Sequence, residues 1–131
     1  MAKLVHSMIR VLDEARSVAY YEKAFGLRVV DRVAFPDFTL VYMAGDEVGF
    51  ELELTINHGR TEPYALGDGY GHLAVVVDDL DAEYARFTAE GLTVGKLVDF
   101  KNGDVPVGRF FFATDPDGYK IEVIQKGGRF M

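Results

Sequence analysis

Two histidines and two glutamates recur in matching order along the chain: His6 with Glu53, and His72 with Glu122. Glu53 lies 47 residues after His6, and Glu122 lies 50 residues after His72. Imidazole nitrogens and carboxylate oxygens suit first-row divalent ions such as zinc, nickel, cobalt or manganese. Four such donors around an octahedral ion leave two positions for water or substrate, which a catalytic metal requires. A carboxylate in that shell can also accept a proton. Taken singly, each residue has a plainer reading. A strand histidine is more often satisfied or exposed than a ligand. The run Glu51-Leu52-Glu53 could be a solvated strand face, and Glu122 could pair with Lys120 or with a cation on a neighbouring strand. The third histidine, His58, has no counterpart and sits beside Gly59 in an expected turn, so it reads as a surface residue. Joint recurrence of the other four outweighs the plain readings.

The elements that must carry these residues also occur twice. The first copy opens with a strand, "HSMIRVLD". A helix, "EARSVAYYEKAFG", follows, with Val18, Tyr21 and Phe25 on one face and Gly26 as its terminator. Three strand-like runs complete it: "LRVVDRVAF", "TLVYMAG" and "VGFELELT". The second copy opens with "HLAVVVDD". Its helix, "LDAEYARFTAEG", carries Leu80, Tyr84 and Phe87 on one face and ends at Gly91; the strand-like runs are "LTVGKLVDF", "GRFFFATD" and "GYKIEVIQ". From the opening His to the helix-ending Gly is 20 residues in one copy and 19 in the other. From the last turn's glycine, Gly49 or Gly118, to the glutamate is 4 residues in both. The order β-α-β-β-β, repeated over about residues 4–57 and 70–126, predicts an α+β chain. Each His then begins a first strand and each Glu lies on a last strand. If the two sheets face one another, the four side chains can converge. Alternation along a strand puts His6, Met8 and Arg10 on one face, and Glu53, Thr55 and Asn57 on one face, so a cation and an amide flank the expected metal. The turn Asp115-Pro116-Asp117-Gly118 feeds the strand that carries Glu122.

Composition bounds the rest. A chain of 131 residues is expected to be one domain, 1–131, and 49% hydrophobic with 27% charged residues fits a globular protein with a real core. The chain has no cysteine, which excludes disulfides, thiolate metal ligands and thiol nucleophiles and is compatible with the cytoplasm. A formal net charge of −7 argues against a general nucleic-acid binder. The N-terminal stretch has no apolar run long enough for a signal peptide or a membrane span, so neither is expected.

The segments "HSMIRVLDEARSVAYYEKAFGLRVV", "ELTINHG", "YALGDGYGHLAVVVDD" and "DPDGYKIEVI" resemble glyoxalase I, lactoylglutathione lyase, of the vicinal oxygen chelate superfamily. "DPDG" with a following Glu points only to the superfamily; the Glu within "ELTINHG" adds the lyase. The resemblance spans about residues 4–126. It implies two βαβββ modules with sheets curving round a central metal cleft, as in glyoxalase and bleomycin-resistance proteins, and a homodimer with the metal site at the interface. The implied ligands are His6, Glu53, His72 and Glu122, with His6 and Glu53 of one chain meeting His72 and Glu122 of the other. The implied reaction turns the hemithioacetal of methylglyoxal and glutathione into S-lactoylglutathione through an enediolate, with Glu122 as the base and Glu53 assisting. Arg10 and Asn57 match positions that hold the glutamyl part of glutathione. Lys101 falls in a loop, "DFKNGDVPVGR", where relatives also place cations; that loop is about three residues longer here, and Arg109 competes for the role. Short members of this kind imply nickel or cobalt, with zinc possible.

Three other readings share the fold. An acyl-CoA epimerase would use similar enolate chemistry, and Glu53 with the "LTINHG" run favours the lyase over it. An extradiol dioxygenase needs two His and one carboxylate on iron, so a fourth ligand at Glu53 disfavours it. A drug-binding protein would need no metal and would use an aromatic cleft, for which Phe110-Phe111-Phe112, Tyr42 and Phe38 are available; core packing is the plainer reading of those aromatics.

Overall fold

An aspartate seven residues after each candidate histidine starts a helix. Asp13 Oδ1 accepts from the Arg16 N–H at 2.9 Å, and Asp79 Oδ1 accepts from the Ala82 N–H at 3.0 Å. Each satisfies one of the amides that a helix start leaves unpaired. The computed structural model describes residues 1–46 and 49–131. It contains two units, Met1–Ala65 and Leu66–Met131.

The first unit runs β1 (His6–Arg10), α1 (Glu14–Phe25), β2 (Arg28–Ala34), β3 (Phe38–Ala44) and β4 (Glu51–Asn57). Its sheet has the order β1-β4-β3-β2, with β1 and β4 parallel and the other neighbours antiparallel. Ile9, Leu54 and Val41 lie side by side across three strands and are fully or almost fully buried, as are Leu52 and Met43. Gly26 closes α1 at φ 66°, a left-handed conformation that favours glycine. The buried face of α1 is Ser17, Tyr20, Tyr21 and Ala24. It is therefore turned from the expected Val18–Tyr21–Phe25 stripe: Tyr21 is buried, while Val18 and Phe25 are only half-buried. The small side chains of Ser17 and Ala24 sit inside, where volume decides, and the larger apolar residues flank them. Glu14 at the start of α1 takes a two-point hydrogen bond from Arg32 of β2, at 2.7 and 3.0 Å. The expected run "VGFELELT" begins at Val48, outside the described residues; its strand is observed from Glu51.

The second unit repeats the plan: β5 (Leu73–Val77), α2 (Leu80–Ala89), β6 (Val98–Asn102), β7 (Val105–Thr114) and β8 (Lys120–Gln125), in the sheet order β5-β8-β7-β6. Phe111, Ala113, Ile121 and Val123 form one buried face, and Phe111 meets Tyr84 and Phe87 of α2 edge-on at 5.1 and 5.3 Å. Residues two apart on a strand share a face, so Phe110, Phe112, Glu122 and Ile124 occupy the opposite one.

Two expectations for this unit need correction. The run Leu92–Phe100 is not one strand. Residues 93–95 bond to the strand end at Phe112 and Thr114, and β6 begins only at Val98. The segment expected as a loop around Lys101 is a hairpin: Lys101 lies on β6 opposite Pro106 of β7. Its turn is Gly103-Asp104, with Gly103 at φ 62° in the first turn position, where a two-residue hairpin loop favours glycine.

Candidate metal centre

Strand register makes the two halves equivalent. In the first unit Glu53 lies between Met8 of β1 and Tyr42 of β3; in the second Glu122 lies between Ala74 of β5 and Phe112 of β7. Each candidate histidine is two residues before the first of those neighbours. His6 is the first residue of β1, whereas His72 immediately precedes β5. His6 Nε2 is 3.6 Å from Glu53 Oε2, and His72 Nε2 is 3.0 Å from Glu122 Oε2. Side-chain exposures match as well, at 38% and 11% for His6 and Glu53, and 40% and 16% for His72 and Glu122. In both pairs the carboxylate is sunk in the sheet and the imidazole is open.

These separations fit a shared ion. Donors about 2.1 Å from one metal lie about 3.0 Å apart at a right angle and farther apart at wider angles. An aromatic ring fixes each imidazole edge-on: Tyr42 at 6.0 Å from His6 and Phe112 at 5.2 Å from His72. The halves differ in one group. The Tyr42 hydroxyl hydrogen-bonds the Glu53 carboxylate, which with burial and the nearby negative charge of Glu53 raises the phenol above its usual pKa. Phe112, at the same place in the repeat, has no hydroxyl. Among the described residues, neither unit adds a third His, Cys, Asp or Glu to its pair.

Glu122 owes its position to the turn before it. Asp115 Oδ1 accepts from the amides of Asp117 and Tyr119, both at 2.9 Å, and Gly118 takes φ 95°. This side-chain-closed turn starts β8 at Lys120, which puts Glu122 opposite Phe112.

The remaining candidates are spread around the pairs. Arg10 is exposed at the end of β1, and it shares the face of His6 and Met8. Asn57, at the end of β4, donates from Nδ2 to the Tyr64 hydroxyl at 2.9 Å, a partner that the sequence did not suggest. Arg109 is engaged elsewhere: Nε donates to Asp99 at 2.8 Å, and the other nitrogens reach Asp81 at 3.2 and 3.3 Å. That pairing, chiefly the hydrogen bond, lowers the Asp81 pKa and raises that of Arg109. Among the described residues, no ion pair is seen at Lys101, which lies on β6 opposite Pro106. His58 is exposed, as expected, and is tethered to Thr39 Oγ1 at 2.8 Å and the Pro36 carbonyl at 3.0 Å. The place of Tyr42 beside Glu53 was readable by aligning the repeats, since Tyr42 and Phe112 stand 11 and 10 residues before their glutamates.

Paired four-stranded units with this order and register define a known class. The sequence pattern of the Glyoxalase/Bleomycin resistance protein/Dioxygenase superfamily matches residues 3–123, and the chain belongs to that superfamily. Within it, the chain is similar to lactoylglutathione lyases. It is 40% identical over 129 residues to that of Neisseria meningitidis serogroup A, covering 95% of this chain and 91% of the relative. It is 35% identical over 127 residues to that of Haemophilus influenzae, covering 94% and 92%. Among solved structures, the trypanothione-dependent glyoxalase I of Leishmania major superposes with a TM-score of 0.80 at 29% identity, covering 95% of this chain and 87% of that one. Glyoxalase I of Zea mays gives 0.83 at 28% identity, covering 96% of this chain and 45% of that longer one.

Proposed function

We propose that the chain is a lactoylglutathione lyase, isomerising the hemithioacetal of methylglyoxal and glutathione to S-lactoylglutathione and so detoxifying methylglyoxal. The observation that carries this reading is the His–Glu pair repeated at one register position in each sheet, 3.6 and 3.0 Å between donor atoms. Relatives at 35–40% identity over nearly their whole length, all named for this enzyme, support it.

In this reading His6, Glu53, His72 and Glu122 hold one divalent ion per site, nickel or cobalt in preference to zinc. The repeats, about 4–57 and 70–126, act as the halves of one glyoxalase-like domain. A site joins His6 and Glu53 of one chain to His72 and Glu122 of a second copy in a cytoplasmic homodimer. When bound, the ion supplies Lewis-acid stabilisation to the negative charge that develops on the substrate's adjacent oxygens. Glu122 removes the proton from the carbon that bears sulfur and oxygen, leaving an enediolate, and returns it to the neighbouring carbon. One proton leaves and one is gained, so the net change is an isomerisation. Glu53, already engaged by Tyr42, assists from the other face. Arg10 and Asn57 bind the glutamyl end of glutathione, and Lys101 is a further substrate-binding cation.

The test is to strip the purified protein with chelator, add nickel, cobalt, zinc or manganese singly, and follow conversion of the hemithioacetal. Turnover restored by metal, best with nickel or cobalt, is expected. Stoichiometric metal without turnover would reject the lyase reaction, and absence of metal binding would reject the four-ligand site.

A further inference from the structure

The loop that follows β4 is closed on itself, and Asn57 is one end of the closure. Gly59 turns the chain at φ 81°. Arg60 then binds the loop three ways: its N–H donates to the Asn57 carbonyl at 3.3 Å, Nε to the Glu62 carbonyl at 2.7 Å and Nη2 to the Pro63 carbonyl at 3.1 Å. Its guanidinium lies over the Tyr64 ring, 4.3 Å from the centroid. The base of the loop is tied down as well, since the His58 N–H donates to the Asp37 carbonyl at 2.9 Å. Tyr64 is half-buried, and its hydroxyl accepts from Asn57 Nδ2 at 2.9 Å.

That hydrogen bond decides which arm of the Asn57 amide is left for a ligand. The two arms of an asparagine amide are nearly the same in shape and differ in what they offer: Oδ1 accepts, and Nδ2 donates. With Nδ2 turned to Tyr64, Oδ1 occupies the other arm of the planar group. Asn57 shares a sheet face with Arg10: Arg10 pairs with Thr55, and Asn57 is two residues farther along the same strand. The glutamyl end of glutathione carries an α-carboxylate and an α-ammonium. A guanidinium has donors only and suits the carboxylate. An ammonium also has donors only, so it needs an acceptor, and Oδ1 is one.

We propose that Tyr64 is a positioning residue: its hydroxyl holds one arm of the Asn57 amide, so that Oδ1 is presented to the α-ammonium of the thiol substrate, and the enzyme thereby selects thiols that carry that ammonium. The inference rests on the placement of Asn57 at the glutamyl end given above and adds the group it reads and the residue that orients it. Tyr64 acts through Asn57 and does not move a proton.

The experiment compares kcat and KM for two methylglyoxal hemithioacetals, one of glutathione and one of the analogue whose glutamyl amino group is replaced by hydrogen. The proteins are metal-loaded wild type, Tyr64→Phe, Asn57→Ala, Asn57→Asp and the double variant of Tyr64→Phe with Asn57→Asp. Tyr64→Phe keeps the ring under Arg60 and deletes only the hydroxyl, so the loop stays closed. The wild type should favour the glutathione adduct in kcat/KM by about tenfold or more, as a charge-assisted hydrogen bond predicts. In Tyr64→Phe that preference should fall at least about fivefold, through KM for the glutathione adduct and with kcat kept. Asn57→Asp has an acceptor on both arms, so adding Tyr64→Phe to it should change the preference by less than about twofold. A preference within about twofold of wild type in Tyr64→Phe, an equal fall in both backgrounds, or a wild type that treats the two adducts alike would overturn the proposal. If Asn57→Ala then raises KM for the glutathione adduct, the placement of Asn57 stands and the role of Tyr64 alone is rejected; if it leaves both KM values unchanged, that placement falls too.

Discussion

Replacing Glu122 by Gln removes a proton acceptor and the charge of one proposed metal ligand, and leaves the fold in place. The two side chains have the same shape, and the backbone pairing of residue 122 with Ala74 and Phe112 does not depend on its charge. An amide can still face His72 across the 3.0 Å that now separates Nε2 from Oε2. The side chain is only 16% exposed, so water cannot readily take over its role. Loss of a general base costs about 10²–10⁴ in rate, or about 2.7–5.4 kcal/mol of barrier at 1.36 kcal/mol per tenfold. The repeat supplies the control. Glu53→Gln changes the same atoms at the same register position, but that carboxylate is already held by the Tyr42 hydroxyl, and the ring beside Glu122 has none to offer. The fall in kcat should therefore be larger for Glu122→Gln than for Glu53→Gln, with KM for the hemithioacetal nearly unchanged in the former. The assay is steady-state conversion of hemithioacetal to thioester on protein whose metal content has been measured. Full occupancy with kcat within tenfold of wild type in Glu122→Gln would refute the proton-transfer role, and a larger loss in Glu53→Gln would transfer it to the other half.

Two further perturbations use the faces of the sheets. Phe111→Ala opens a fully buried site against Tyr84 and Phe87 and should cost about 3–5 kcal/mol in denaturant unfolding. Phe112→Ala, one residue along on the opposite face, should cost less stability but weaken metal binding by freeing the His72 ring, as read by calorimetric titration; the reverse order of effects would refute the assignment of faces. Arg32→Ala tests the link between α1 and β2. The hydrogen bond from Arg32 lowers the Glu14 pKa, against the raising effect of burial, with smaller lowering contributions from the charges of Arg32 and His58. A folded-state pKa below the unfolded value adds stability above the unfolded value of 4.5 and loses it as pH falls through the folded one. The variant should thus be slightly less stable than wild type at pH 7 and equal to it at about pH 2, where a carboxylate is protonated in both states. The effect stays small because the pair is exposed and screened, and an equal deficit at both pH values in paired urea titrations would refute the linkage.

The length of each repeat was a poor guide to what it conserves. The His-to-Glu distances differ by three residues, yet in both units the residue two after the histidine lies opposite the glutamate. The excess sits between the helix-ending glycine and the aromatic beside the carboxylate: 16 residues from Gly26 to Tyr42, and 21 from Gly91 to Phe112. There the second unit carries its interrupted first segment and the long β6–β7 hairpin. Lengthening a connection costs little, because loop entropy grows only with the logarithm of length, whereas a one-residue slip in register would turn Glu53 or Glu122 to the opposite face. Polar residues at fixed strand offsets were therefore legible, as was the α+β order. What was not legible depends on partners distant in sequence. The commitment of Arg109 to Asp81 and Asp99 spans 28 and 10 residues, and the fold-back of Phe130 onto Gly108 spans 22. The hairpin at Gly103 was legible in principle, since a Gly-Asp pair between strand-like runs is a turn signal; the polar run "DFKNGD" reads as a loop instead. The same rule separates the two classes of feature. Where strand pairing fixes a side chain, spacing alone locates it. Where a tail or a charge finds its partner through space, as Phe130 does on Gly108 and Arg109 does on Asp81, nothing in local sequence announces the contact.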